Sequence, residues 1–190
     1  PYGIFSCIRT MGHIYKSRGN FDLSAQYYQE ALDYMLKNMP DQDPSQLYSS
    51  LAEYYRNTQK DYATALDYCE KALKSAKTER NIAQAMIEKC LILFRQGRID
   101  EFNDCYKEAV QMADRCKLSA NVSLLIAHIS KNILDKQYEQ AHAHADQLSE
   151  KGLQQHAYIY EYAKDYPNAI KYLKKYHQQL DSTNNLQIGR

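Results

Sequence analysis

The side chains that could perform chemistry are few in this chain, and the histidines are the first to test. In the stretch AHAHAD (141–146), His142 and Asp146 are four residues apart and would share one face of a helix, whereas His144 would lie on roughly the opposite face. Two side chains could begin a metal site, but zinc usually takes three or four protein ligands. A polar helix face explains this stretch better, so we predict no metal site.

The cysteines are the next candidates for reactive chemistry, because a thiolate can act as a nucleophile or a redox group. The chain has five of them, an odd number without a short-range pairing pattern, which argues against a disulfide framework. Cys69 and Cys90 fall at the packing positions of the helical pattern described below, so we predict that they fill the core. Buried cysteines favour a reducing compartment and hence the cytoplasm, while an extracytoplasmic location stays open.

Motifs for the common catalytic and cofactor chemistries are absent, including the phosphate-binding loop, the dinucleotide fingerprint, HExxH and the nucleophile elbow. The run KYLKKYH (171–177) interleaves lysines with tyrosines, as nucleic-acid-binding segments do. However, Tyr172 and Tyr176 are four residues apart, which suits the buried stripe of a final helix. The net charge of +1, from 24 basic and 23 acidic residues, provides no basic surface for nucleic acid. We predict no catalysis, no cofactor, no nucleic acid partner and no membrane insertion.

The elements that must position these side chains are helices, because apolar residues recur at helical spacing along almost the whole chain and strand-like alternation is missing. In the first helix of each repeating pair a small residue occupies one position: Gly12, Ala52, Cys90, Ser130 and Ala157. In the second helix the small residues are Ser24, Ala65, Ala141 and Ala169, and Phe102 is the exception. Two helices approach closely where both present small side chains, so Gly12 should contact Ser24 and Ala52 should contact Ala65.

The segments IRTMGHIYKSRGNFDLSAQYYQEAL and LYSSLAEYYRNTQKDYATALDYCEKAL carry this pattern best, and KCLILFRQGRIDEFNDCYKEAV carries it more weakly. They resemble the tetratricopeptide repeat, whose signature places a glycine and a tyrosine on a first helix and two alanines around an aromatic residue on a second. The resemblance covers roughly residues 5–180. It implies an all-α fold, an alpha-alpha superhelix (a TPR-like solenoid) of about five helix pairs.

The spacing of the repeats departs from the pattern of that family. The small residues of successive first helices are 40, 38, 40 and 27 positions apart, against about 34 in the usual repeat. We therefore expect second helices that are a turn or more longer. The step of 27 indicates either a tight junction near residues 148–153 or a different repeat register there. Phe102 should force the third pair apart unless its neighbours compensate. We also expect Asp43 and Pro44 to be the cap and first turn of a helix, after the loop that begins at Met39.

We predict a single repeat domain over residues 1–180, with residues 148–153 as the candidate place for a bend. Residues 181–190 read DSTNNLQIGR, which is polar and lacks an apolar period, so we predict a tail or linker there. The chain begins inside a helical pattern and without an initiator methionine. We therefore expect it to be a piece of a longer protein.

The resemblance also implies a binding surface, since the first helices of tetratricopeptide arrays line a concave groove that takes an extended peptide or a helix. The groove-facing positions of the family correspond here to Arg9, His13, Lys16, Ser49, Glu53, Arg56, Asn57, Ile87, Leu91 and Phe94. This mixture suits a segment with an acidic or carboxylate end near Arg9 and Lys16 and an apolar body near Phe94. Two alternatives stay open: the side chains are only solvated, or they contact a neighbouring helix that this chain lacks.

We therefore predict a non-catalytic module that binds a protein or peptide partner. Long, tyrosine-rich repeats at this spacing resemble the arrays of bacterial sensor kinases and transcription regulators. This implies the sensory or interaction region of a larger bacterial signalling protein. The alternative is a stand-alone structural adaptor that assembles protein complexes. The sequence identifies neither the partner nor the oligomeric state.

Overall fold

The fold is all-α, as the sequence predicts. The computed structural model describes residues 1–118, 121–148 and 152–188, with side chains as far as residue 182. Within these ranges the chain forms ten α-helices and one π-helical turn, and it contains no strand. None of the helices in these ranges is both long and apolar enough to cross a membrane. The chain divides into two compact units, Pro1–Leu118 (unit 1) and Ser119–Arg190 (unit 2).

Unit 1 consists of three helix pairs. Its elements are α1 (Tyr2–Ser17), α2 (Phe21–Asn38), α3 (Ser45–Tyr54), the π-helical turn (Tyr55–Gln59), α4 (Tyr62–Ser75), α5 (Glu79–Arg95) and α6 (Ile99–Arg115). Each odd-numbered helix packs against the helix that follows it, and α2 then packs on α3 and α4 on α5. The first helices α1, α3 and α5 therefore occupy equivalent positions in successive pairs.

Unit 2 consists of two further pairs. Its helices are α7 (Val122–Leu134), α8 (Tyr138–Ala145), α9 (Gly152–Tyr162) and α10 (Tyr166–Ile188). Helix α7 pairs with α8 and α9 with α10, and α8 packs on α9. The backbone of residues 181–188 continues α10, where we expected a tail or linker. A helix that packed turns have already nucleated can extend into a polar segment, because each added residue forms one hydrogen bond and needs no burial. The domain limits at residues 180 and 181 stay predictions.

Local sequence sets where the helices begin and end. A side chain accepts a hydrogen bond from the backbone N–H three residues later at the starts marked by Asn20, Asp61, Thr78 and Asn121. Several turns pass through left-handed backbone, at Gly19, Lys60, Gly97, Lys117, Lys136 and Lys164. The two glycines adopt this conformation without the steric cost of a Cβ atom. These short turns reverse the chain and place consecutive helices side by side.

The first pair closes through a glycine. Ser24 Oγ donates a hydrogen bond to the carbonyl oxygen of Gly12 at 2.9 Å, which joins α2 to α1. A Cβ atom on Gly12 would lie only 2.6 Å from Cε1 of Tyr28, whose ring is buried. In the second pair Ala52 and Ala65 are both fully buried and belong to one apolar cluster. Both pairs therefore have small residues at the positions where the sequence predicts close contact.

The third pair accommodates Phe102 at the position where other second helices carry a small residue. The ring is fully buried, and its centroid lies 5.6 Å from the Phe94 ring and 5.7 Å from the Tyr106 ring. These aromatic neighbours compensate for the size of Phe102, so α5 and α6 still pack together. The side chains of Cys90 and Cys105 make a close contact between the two helices, with their Sγ atoms 2.7 Å apart.

A short helix accounts for the step of 27 residues in the repeat. Helix α8 has only eight residues, and α9 begins at the buried Gly152. A Cβ atom on Gly152 would lie 2.9 Å from the carbonyl oxygen of Ala145. The start of α9 therefore lies directly against the end of α8, which confirms the expected tight junction. Residues 149–151 of that junction lie outside the described ranges.

Asp43 ties together two loops of unit 1. Its Oδ1 accepts a hydrogen bond from the Ser45 backbone N–H at 2.9 Å, at the start of α3. Its Oδ2 accepts from the Lys77 N–H at 2.8 Å and from Asn81 Nδ2 at 2.9 Å. Burial opposes ionisation of the carboxyl group, but the hydrogen bonds outweigh burial and hold the pKa of Asp43 below its ordinary value. Asp43 therefore satisfies the first N–H group of α3, as a cap would, while Pro44 occupies the N-cap position and the helix itself begins at Ser45, one residue later than the sequence predicts.

Alanine at Gly12 should destabilise the chain. The new Cβ must displace the Tyr28 ring, which shares a hydrogen bond with His13. Overpacking of this kind costs about 1–3 kcal/mol, against roughly 1 kcal/mol gained by replacing a helical glycine. Gly3 is the matched control, because a Cβ there meets nothing within 4 Å. In urea unfolding we expect Gly12→Ala to lower the free energy of unfolding and Gly3→Ala to preserve or raise it. A rise for both variants contradicts the close contact.

The Asp43 cap should make stability depend on pH. A depressed carboxyl pKa stabilises the folded state above the ordinary value of 3.8, and the contribution is lost as the pH falls through the lower folded-state value. We expect Asp43→Asn to lower the free energy of unfolding by about 1 kcal/mol at neutral pH, because an amide has one acceptor oxygen where the carboxylate has two. The difference from the parent protein should shrink in acid. Urea titrations across this pH range measure the difference, with the exposed Asp41→Asn as control. A difference that is constant with pH rules out this role.

Candidate functional site

Charged side chains of the three first helices form a row along unit 1. Lys16 of α1 donates a hydrogen bond from Nζ to Glu53 Oε2 of α3 at 2.5 Å, and Arg56 of the π-helical turn binds Glu88 of α5. The signs alternate, and each pair acts on the other. The negative charge of Glu53 contributes to the raised pKa of Arg56, and that of Glu88 contributes to the raised pKa of Lys16. We call these four residues the charged row. It connects the three first helices of unit 1.

The inner pair of the charged row is buried. Arg56 Nε donates to Glu88 Oε1 at 2.5 Å and Nη2 donates to Oε2 at 3.3 Å, so the guanidinium holds the carboxylate through two bonds. Both side chains are 6% exposed. Burial raises the pKa of Glu88, against the opposing effect of the Arg56 charge. Removing one partner would leave the other charge buried and uncompensated.

The outer pair of the charged row is more accessible. The side chain of Lys16 is 37% exposed and that of Glu53 is 23% exposed. Burial alone would lower the pKa of Lys16, but the charge and the hydrogen bond of Glu53 outweigh burial and raise it. Lys16 is therefore a charged group that is already paired inside the chain. It can neutralise a carboxylate of a partner only by giving up part of its contact with Glu53.

Arg9 and His13 lie beside the outer pair on α1. Arg9 Nε is buried and has no hydrogen-bond partner, and its guanidinium carbon lies 5.3 Å from the centroid of the Phe5 ring. His13 Nδ1 and the Tyr28 hydroxyl share a hydrogen bond of 3.0 Å. Burial lowers the pKa of His13, and the positive charges of Arg9 and Lys16 lower it further. This end of the site is therefore positive and holds a buried N–H group without an acceptor.

The remaining polar residues predicted for the groove divide between the surface and the interior. Ser49 is partly exposed on α3, and Asn57 is exposed in the π-helical turn. Arg56 is buried, because its guanidinium pairs with Glu88. The structure thus brings Arg56 to the inside of unit 1, where it stabilises the packing of α5 on α3.

The three apolar residues predicted for the groove are buried. They are 1%, 2% and 6% exposed, for Ile87, Leu91 and Phe94 respectively. Helix α5 is surrounded on nearly all sides, since only Lys89 between Ile87 and Phe94 escapes full burial. These positions therefore provide packing and leave little surface for an apolar pocket. Contact of the ten predicted residues with a partner stays a prediction.

The sequence did not identify two polar groups of this region, the Glu88 carboxylate and the Tyr28 hydroxyl. Glu88 is an isolated acid within the apolar stretch AMIEKCLILF. Because a buried charge must be paired, this isolation is a signal that a cation faces it, but the sequence does not say which one. Tyr28 packs its ring against Gly12, and its hydroxyl also shares a hydrogen bond with His13.

The histidines of unit 2 contact one another. His142 Nδ1 and His156 Nδ1 are 2.7 Å apart, and His156 Nε2 is 3.0 Å from Asp146 Oδ1. His156 thus lies between His142 and Asp146, which the sequence places on one helix face. The ring of His144 instead stacks on His128, with the ring centroids 5.1 Å apart. In the described part of the chain, no group of three histidine, cysteine or acidic side chains could hold a metal ion.

The buried pair predicts strongly non-additive mutations. Arg56→Met or Glu88→Leu alone should each lower the free energy of unfolding by about 3–5 kcal/mol, because each leaves one buried charge unpaired. The double variant removes both charges and should lose less than either single variant. Urea unfolding measures all three, with the exposed Asp67–Lys71 pair as control, where each single change should cost at most about 0.5 kcal/mol. If the loss in the double variant equals the sum of the two single losses, the ion pair does not stabilise unit 1.

Comparisons with known proteins agree with the helix pairing. The family model described as tetratricopeptide repeat matches residues 5–78, which span the first two pairs. Among solved structures, the chain is similar to BtubC (BKLC) from P. vanneervenii, with a TM-score of 0.55 and 17% sequence identity over 93% of this chain and 80% of that chain. An identity this low shows a shared fold alone. The comparison with curated proteins found no match. Residues 5–78 of this chain therefore match the tetratricopeptide repeat, a family whose members typically mediate protein–protein interactions and are typically non-catalytic.

Proposed function

We propose that unit 1 binds a segment of another protein through the α1–α3 side of the charged row, and that an acidic group of that segment docks on Arg9. The proposal concerns a binding module without catalytic activity. Its contact residues are Arg9 and His13 of α1, with Ser49 and Asn57 as flanking polar positions. The buried residues of α5 provide the packed support behind them.

The observation that carries the proposal is the Arg9 Nε–H group, which is buried without an acceptor. A buried donor without a partner costs about 1–3 kcal/mol, and more when the group is charged. A carboxylate would supply both the missing acceptor and the opposite charge, through a short charge-assisted bond. An acidic side chain or a C-terminal carboxylate of a partner therefore fits Arg9 better than a neutral group does.

The local charge supports an anionic partner. Lys16 is paired with Glu53, and Arg56 is paired with Glu88, so both cations of the charged row already form an ion pair within unit 1. Arg9 adds a further positive charge that lowers the pKa of His13. His13 lies beside this charge, and its ring can donate or accept a hydrogen bond next to the docked acidic group.

The setting of the module is part of the same proposal. A role as the sensory or interaction region of a larger bacterial signalling protein rests on the resemblance of the repeats alone. The stand-alone adaptor is the alternative, and the same surface would serve it. In both settings the partner is a protein, as is general for tetratricopeptide repeats.

The test uses a pool of synthetic peptides with acidic C-terminal segments, compared with the same peptides carrying amidated ends and Asn or Gln in place of Asp or Glu. We expect the acidic pool alone to bind, with affinity that falls as salt is added. Arg9→Gln should weaken binding about 10- to 100-fold, which corresponds to a lost charged hydrogen bond of about 1.5–3 kcal/mol. Fluorescence anisotropy with labelled peptides measures both effects.

Arg18→Gln is the matched control, because Arg18 is an exposed cation just beyond the end of α1. It should bind the acidic peptides as the parent protein does. Equal binding of acidic and neutral peptides contradicts the proposed chemistry. Equal losses in Arg9→Gln and Arg18→Gln would show that binding follows overall charge and does not involve the buried Nε–H group.

A further inference from the structure

Cys90 and Cys105 face each other across the third helix pair. Their Sγ atoms are 2.7 Å apart, with Cys90 on α5 and Cys105 on α6, and both are free thiols. A disulfide bond is about 2.05 Å long, so a shift of less than 1 Å brings the two sulfur atoms to bonding distance. Both cysteines belong to long, packed helices, and their side chains meet without a change in backbone fold.

The two thiols differ in accessibility and acidity. Cys90 is fully buried, whereas Cys105 is partly exposed and also lies 3.5 Å from the Met86 carbonyl oxygen. The hydrogen bond from the Cys90 thiol lowers the pKa of Cys105 and, with the help of the Lys89 charge, outweighs burial. The same hydrogen bond and burial raise the pKa of Cys90. Cys105 is therefore the sulfur that can react first with a molecule from solution, because the thiolate is the nucleophile.

We propose that Cys90 and Cys105 form a dithiol site that closes to an intramolecular disulfide by exchange with a low-molecular-weight disulfide, of the class of oxidised glutathione. The Cys105 thiolate attacks one sulfur of that disulfide, forms a mixed disulfide and releases one small thiolate. Cys90 then loses its proton to water and attacks Cys105 Sγ, which releases the second small thiolate. The protein loses two protons and two electrons, and the small disulfide takes them up to become two thiols.

The other cysteines do not offer this arrangement. Cys7 is exposed on α1, Cys69 is buried in the cluster that includes Ala52, and Cys116 follows α6. None of these three is within hydrogen-bonding distance of another sulfur among the described contacts. The sequence indicated no pairing because the two partners lie on different helices, 15 residues apart, and the spacing shows no short motif.

The cross-link would act on the helix that carries Glu88. Helix α5 presents Glu88 to Arg56 and Cys90 to α6, so a bond at Cys90 would fasten α5 to its pair partner while the ion pair fastens it to the π-helical turn. A disulfide limits the conformations of the unfolded chain and so favours the folded state. We expect the oxidised protein to have a higher thermal midpoint than the reduced protein.

The experiment uses the full chain of 190 residues, reduced and then equilibrated in buffers of decreasing ratio of reduced to oxidised glutathione. After denaturation, free thiols are blocked with N-ethylmaleimide and the intact mass is measured. We expect the oxidised protein to take up two fewer maleimides than the reduced protein, and peptide mapping to join the segments of Cys90 and Cys105. The thermal midpoint should rise on oxidation and return on reduction.

Cys105→Ser and Cys90→Ala should each abolish the disulfide and the thermal shift, whereas Cys7→Ser and Cys116→Ser should retain both. Circular dichroism verifies that each variant is helical, and the parent protein alone suffices for the mass measurement if a variant fails to fold. The proposal is overturned if the oxidised parent protein keeps all its thiols, if Cys105 ends as a stable glutathione adduct, or if the mapped bond joins another pair. Each result is independent of peptide binding at Arg9.

Discussion

Close approach of paired helices is the constraint on which the structure of unit 1 depends. Two helices can lie this near only where neither has a bulky side chain in between, and Gly12 meets this condition directly, since its carbonyl accepts the Ser24 hydroxyl and Tyr28 covers its Cα. Ala52 and Ala65 meet it in the second pair. The third pair uses a different solution, in which Phe102 is enclosed by other rings and Cys90 contacts Cys105. The stacking of the pairs follows from the positions of these contacts.

The same packing decides which charges are available to a partner. Because α3 and α5 approach closely, Arg56 and Glu88 are removed from water and must satisfy each other. Lys16 and Glu53 stay at the margin and are only partly exposed. Arg9 is then the cation whose buried N–H lacks an acceptor. The binding proposal therefore depends on packing as much as on sequence, since most of the charges near the site stabilise the fold.

The helix pairs could be predicted from sequence because small residues at Gly12 and Ala52 recur with the periodicity of a helix. The direction in which individual side chains face could not be predicted from the sequence. The groove positions were carried over from the family resemblance, which gave no sign that residues 55–59 form a π-helical turn or that Arg56 within it contacts Glu88. Ile87 and Phe94 were expected at the groove, yet a helix that is apolar on nearly all sides gives no signal of which face is exposed. Residues 181–188 are helical although they lack an apolar period.

The most direct test of the paired-helix account is a nuclear Overhauser measurement between the Gly12 Hα protons and the Tyr28 ring protons in the folded chain. The account predicts strong cross-peaks, because a Cβ on Gly12 would lie 2.6 Å from the ring. It also predicts a cross-peak from Gly12 Hα to the Ser24 Hβ protons. A helical, folded protein in which the Gly12 protons show contacts to solvent and to their own helix alone would contradict the account.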